Sequence, residues 1–176
     1  SQDTSISIEK YIKQNGGVVF RSKVGEANVT EKMIKTKSQV GGEGSSGGFI
    51  LSDFNYCRDG ILTSGLIASI INKDVFIDAL NFMEKYHLIR DKMEYDSKYH
   101  DEILKVLNDK MKEKFGSVET LDGIKAIINE DSWVLIRKSN TENAIRVSAE
   151  SNSLEKVRNI HLEIKDLVKQ SYEQIK

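Results

Sequence analysis

Apolar residues recur at helical spacing at Ile8, Tyr11 and Ile12, and Asn15-Gly16-Gly17 closes the run, so residues 7–14 predict a short amphipathic helix. Val18-Val19-Phe20 is β-branched and aromatic and predicts a strand, followed by a second helix over 29–37. The glycine cluster 41–48 forms a loop before a strand at Phe49-Ile50-Leu51. Asp59 is placed to cap a helix that begins in the apolar run ILTSGLIASII, and the uniform hydrophobicity predicts that this helix is largely buried. A further amphipathic helix spans 74–84. These elements have the rhythm of an α/β layer.

The pattern changes after Lys85. Residues 86–96 alternate like an exposed strand or tether, and 99–115 place Ile103, Val106, Leu107 and Met111 on one helical face. Strands are predicted at 118–121, 124–128, 133–137 and 145–149. A long helix follows, with Leu154, Val157, Ile160, Ile164, Leu167 and Val168 spaced three and four apart. The chain therefore divides into residues 1–85, an α/β unit, and 86–176, a compact α+β module.

At 176 residues and 39% hydrophobic content the chain is long enough for at least one real core. With 26 basic against 27 acidic side chains, no charge excess points to nucleic acid or to an acidic membrane. No apolar run reaches the roughly 18 residues of a membrane helix, and the first residues lack the pattern of a signal peptide, so a cytoplasmic location is expected. The lone Cys57 excludes an internal disulfide and reads as a packing residue. His87, His100 and His161 are far apart in sequence, read as partly exposed, and show no metal-site spacing.

Candidate chemistry lies in three loops. In the first, Arg137 and Arg146 flank a polar turn containing Ser139, Asn140 and Thr141. Guanidinium forks and clustered donors suit a phosphate, although a surface hairpin has the same composition. The second is Gly42-Glu43-Gly44-Ser45-Ser46-Gly47. Its carboxylate suits neighbouring sugar hydroxyls and its glycines permit close approach; a flexible linker would look alike. The third, Arg21-Ser22-Lys23-Val24-Gly25-Glu26, puts a lysine at a predicted strand end.

Arg137, Ser139, Thr141, Glu142 and Arg146 resemble, in place, the Arg-Pro-Ser-Gly-Thr-Glu-Pro-x-x-Arg signature of the α-D-phosphohexomutases, with Lys138 and Asn143 replacing the two prolines. The glycine cluster resembles that family's Gly-Glu-x-Ser-Gly-His sugar loop, with Gly47 in place of histidine. Residues 21–26 resemble its Arg-Thr-Lys-x-Gly strand end, and Arg58-Asp59-Gly60 follows in family order.

The resemblance implies a partial α/β/α layer over 1–85, the latter part of the family's third domain, and the small α+β C-terminal phosphate-binding domain over 86–176. It assigns Glu43, Ser45 and Lys23 to the sugar, and Arg137, Ser139, Asn140, Thr141 and Arg146 to its phosphate. The implied reaction interconverts hexose 1- and 6-phosphates through a phosphoserine relay assisted by magnesium. Neither the phosphoserine loop nor the Asp-Gly-Asp-x-Asp-Arg metal loop occurs in this sequence. Catalysis and magnesium would then reside in N-terminal domains outside this chain, its natural partners, and the isolated chain should be inactive. Two other readings are a stand-alone phosphosugar-binding module without catalysis and an interaction domain with relic loops.

Overall fold

A computed structural model describes residues 1–44 and 48–176. Helix and sheet are mixed throughout, and the chain separates into two compact units, Ser1–Lys85 and Tyr86–Lys176.

In the first unit α1 (Ile6–Gln14) starts where the Ser5 hydroxyl accepts the Ser7 N–H, and α2 (Glu26–Thr36) follows. The strands β1 (Val40–Gly42), β2 (Phe49–Leu51) and β3 (Asn55–Asp59) form an antiparallel sheet in that order. Val29 and Met33 of α2 pack with Ile50 as a small buried core. Gly41 permits this close approach, because a Cβ there would lie 2.2 Å from the Met33 sulfur. Helices α3 (Gly60–Ile70) and α4 (Asp74–Met83) complete the unit. Tyr11 of α1 meets Phe82 of α4 at 5.7 Å between ring centroids and donates its hydroxyl to the Val75 carbonyl at 3.2 Å.

Two expectations fail in this unit. Val18–Phe20 is not a strand: among the described residues its backbone enters no ladder, and β propensity without a partner makes no sheet. Helix α3 is capped by Asp59, whose carboxylate accepts the Leu62 N–H at 2.7 Å, yet none of its residues is buried and Ile61 is 89% exposed. A helix that is apolar all round signals burial only where something lies over it. Among the described residues no single helix is long and apolar enough to cross a membrane.

The second unit is built on a four-stranded antiparallel sheet in the order β4-β7-β6-β5. Its strands are β4 (His87–Glu94), β5 (Ile124–Asn129), β6 (Ser132–Lys138) and β7 (Ala144–Ser151). The β4–β7 ladder runs from His87 opposite Ser151 to Glu94 opposite Ala144. Helices α5 (His100–Phe115) and α6 (Leu154–Ile175) supply the stripes Ile103, Leu107, Met111 and Val157, Ile164, Val168. These close over Ala126, Val134, Ile136, Ile145, Val147 and Ala149, whose period of two marks one face of the sheet. Each fully buried aliphatic side chain contributes roughly 1.5–3 kcal/mol.

The other face carries Trp133 and Glu150, both completely buried, with the indole N–H donating to the carboxylate and the Lys125 ammonium 4.4 Å from the ring centre. The strand predicted at 118–121 reduces to one bridge, Glu119 to Lys125, because Gly123 turns the chain into β5 at φ +83°. His100 and His161 are buried, against the expectation of partial exposure. The ring of His100 bonds the Tyr95 carbonyl at 2.9 Å, and burial pushes the pKa of His161 down.

Candidate functional site

Two clusters of candidate residues are present, one in each unit. In the first unit the strand-end motif, the sugar-loop motif and Arg58 come together. The Gly25 N–H donates to the Glu43 carboxylate at 2.5 Å, and the second oxygen of Glu43 lies 3.9 Å from an Arg58 guanidinium nitrogen. Arg58 also donates from its backbone N–H (3.0 Å) and its Nε (2.8 Å) to the two oxygens of Glu26. The side-chain hydrogen bond from Arg58, helped by its backbone N–H, lowers the pKa of Glu26 below the usual carboxylate value.

Glu43 therefore stands differently from a solvated loop carboxylate. Its side chain is only 6% exposed, and one oxygen already ties the glycine loop to the turn at Gly25. Lys23, two residues from that turn, is exposed. Ser45 lies outside the described residues. Arg21, to which the sequence gave no role, is spent on structure: it donates to the carbonyls of Ser1, Thr4 and Ser5 and pairs with Glu9 at 2.9 Å. It fixes the turn that leads into α1.

In the second unit the 139–143 turn joins β6 to β7 and is closed by the Ser139 N–H on the Ala144 carbonyl at 2.9 Å. The Ser139 hydroxyl accepts long hydrogen bonds from Arg146 Nε (3.3 Å) and the Thr141 N–H (3.4 Å). Arg146 pairs with Glu142 at 2.7 Å, and Lys92 reaches the other oxygen of Glu142 at 3.3 Å. Arg137 stands opposite Arg146 in the ladder, 8% exposed, and donates to the Lys138 carbonyl at 3.3 Å.

Successive residues on a strand face opposite sides, so Lys138 points away from Arg137. It shares a hollow of about 360 Å³ with Ser139, Asn140, Thr141, His100 and Asp101, and its ammonium lies 2.8 Å from the Asp101 carboxylate. The structure thus joins Ser139 to Arg146 directly and gathers Ser139, Asn140 and Thr141 round one hollow. Arg137 and its ladder partner Arg146 share the opposite face of the sheet from Lys138. Asp101 and Lys92 were not singled out by sequence, since each is an ordinary surface charge until the fold brings it to the loop. Among the described residues no group of His, Cys, Asp or Glu is arranged to hold a metal ion.

A helical unit with a small antiparallel sheet, followed by a four-stranded α+β unit whose Ser-Asn-Thr turn lies between ladder-paired arginines, matches two successive domains of one known family. The profile for the phosphoglucomutase/phosphomannomutase alpha/beta/alpha domain III matches residues 1–86, and that for the C-terminal domain matches 88–167. The chain belongs to the phosphoglucomutase/phosphomannomutase family.

It is 35% identical over 167 residues to a probable phosphoglucosamine mutase of Methanosphaera stadtmanae, covering 89% of this chain and 37% of that protein. It is 35% identical over 158 residues to a phosphoglucomutase/phosphomannomutase of Thermococcus kodakarensis, covering 88% and 34%. A crystal structure of a phosphoglucomutase/phosphomannomutase family protein from Burkholderia thailandensis shares the fold at a TM-score of 0.70 and 21% identity, over 94% of this chain and 35% of that one. The chain spans little more than a third of the length of the curated relatives it matches.

Proposed function

We propose that this chain is the sugar- and phosphate-holding portion of a mutase that interconverts hexose 1- and 6-phosphates. The observation that carries the reading is the convergence of motifs distant in sequence. Glu43 is tied to Gly25 and Arg58 to Glu26, while Ser139 is bonded by Arg146, so both loops are held by the residues that define them.

In this reading Lys23 and Ser45 contact the sugar and Glu43 shapes the loop that reads it. Arg146 and the Ser139–Thr141 turn hold the phosphate, with Arg137 beside Arg146 on the same face of the sheet. The phosphoserine and the magnesium ion that would transfer the phosphoryl group belong to domains outside this sequence, so this chain alone turns over no hexose phosphate. In the proposed longer enzyme, Glu43→Gln keeps an oxygen for the Gly25 N–H but loses the charge facing Arg58. Activity on glucose and mannose phosphates should fall at least about tenfold, with the melting temperature shifted by only a few degrees. Unchanged kinetics would reduce the glycine loop to a linker.

Titration of this chain with inorganic phosphate, followed by amide chemical shifts, tests the binding role. Weak binding is expected, with shifts centred on Ser139, Asn140 and Thr141, because only a few charge-assisted bonds act, each worth roughly 1.5–3 kcal/mol before ordering costs. Arg137→Lys with Ser139→Ala should abolish them, since an ammonium lacks the planar fork. Shifts that fall elsewhere, or that persist in the double variant, would make the loop a plain turn.

A further inference from the structure

Resting on the reading of the 139–143 turn as a phosphate loop, we infer that Lys138 is an additional anion-binding residue of that loop, held in reserve by Asp101. The family signature has proline at this position and gives it no function, so the inference stands on geometry alone. Lys138 lines the same hollow as Ser139, Asn140 and Thr141, and it faces the side of the sheet opposite both Arg137 and its ladder partner Arg146. Its ammonium is the cation that extends the loop's donors across this hollow, and it sits 2.8 Å from Asp101 in the first turn of α5.

Both members of the pair are well exposed, Lys138 at 54% and Asp101 at 80% of the side chain. An ion pair so open to water is weak, and a dianionic phosphate entering the hollow offers the ammonium a second, doubly charged partner. The Lys138 stem has the rotational freedom to exchange one for the other. Asp101 thus competes with the ligand for the cation. It also keeps an uncompensated positive charge off the loop when no phosphate is bound. Glu142 makes the same kind of contact to Arg146 and Lys92, so each of these three cations is matched to a carboxylate before an anion arrives.

The test is phosphate titration of the whole chain, read by the Ser139–Thr141 amides, for the unaltered chain, Asp101→Asn, Lys138→Met and the double variant. Asp101→Asn should tighten binding roughly two- to fivefold, the competition an exposed ion pair can exert, and the gain should shrink as salt rises. In the double variant the gain should vanish. If Asp101→Asn does not tighten binding, or tightens it equally with methionine at 138, the effect is absent or a general field effect and the reserve role is overturned while the phosphate loop stands. If the unaltered chain gives no shifts at 139–141, the phosphate-loop reading fails first. Exposure of both side chains keeps all four proteins folded, which amide spectra outside the loop verify.

Discussion

Hydrogen exchange on the whole chain should leave the amides of α5, α6, β6 and β7 protected on the order of a thousandfold longer than those of α3 and α4. The cause is the uneven distribution of buried apolar surface. Helices α5 and α6 each present a stripe of fully buried aliphatic side chains to a four-stranded sheet. Helices α3 and α4 bury no residue completely, and the core cluster of their unit consists of Val29, Met33 and Ile50. A helix of 11 residues without packing is marginal in water whatever its composition. Equal protection in the two units would show that α3 and α4 are covered in solution.

Gly123→Ala should destabilise the second unit by about 3 kcal/mol or more. The residue adopts φ +83°, where a side chain alone costs roughly 1–2 kcal/mol. An added Cβ would also stand 2.2 Å from the Ile136 carbonyl oxygen and 2.8 Å from the Arg137 Cα. Both are backbone atoms, so no rotamer change relieves the clash; the start of β5 must move off β6. The urea midpoint should fall with the slope unchanged, and the Arg137 resonances should shift even at low denaturant. A loss under about 0.5 kcal/mol would mean that the turn has room to rearrange, and that the backbone around Arg137 is not fixed from this side.

What could be read from the sequence follows from how local each signal is. The α6 stripe, the apolar face of α5 and the strands β6 and β7 are encoded in spacings of a few residues, and they appear where the periodicity puts them. Strands β1 and β3 escape it: Val-Gly-Gly and Asn-Tyr-Cys-Arg-Asp carry no alternation, and only pairing with β2 makes them strands. Val18–Phe20 is the converse, a strong local preference with no partner strand among the described residues.

The site shows the same division. Motif order exposed the loops, but the burial of Glu43 depends on an N–H 18 residues away, and the pairing of Lys138 depends on a helix 37 residues earlier. Nothing in the residues around Glu43 distinguishes a solvated carboxylate from a buried clasp.

The register of the β4–β7 ladder has a mechanical meaning. The chain enters the second unit at His87, directly opposite Ser151, and leaves the sheet there, three residues before α6 begins. Tension between the preceding unit and the carboxy terminus, once it has stripped α6 away, arrives at one end of a single antiparallel pair. It would open the ladder like a zipper, loading one rung at a time from His87 towards Glu94, instead of shearing all eight paired positions at once. A unit held together by a buried aliphatic core would therefore yield to a modest pull from its ends.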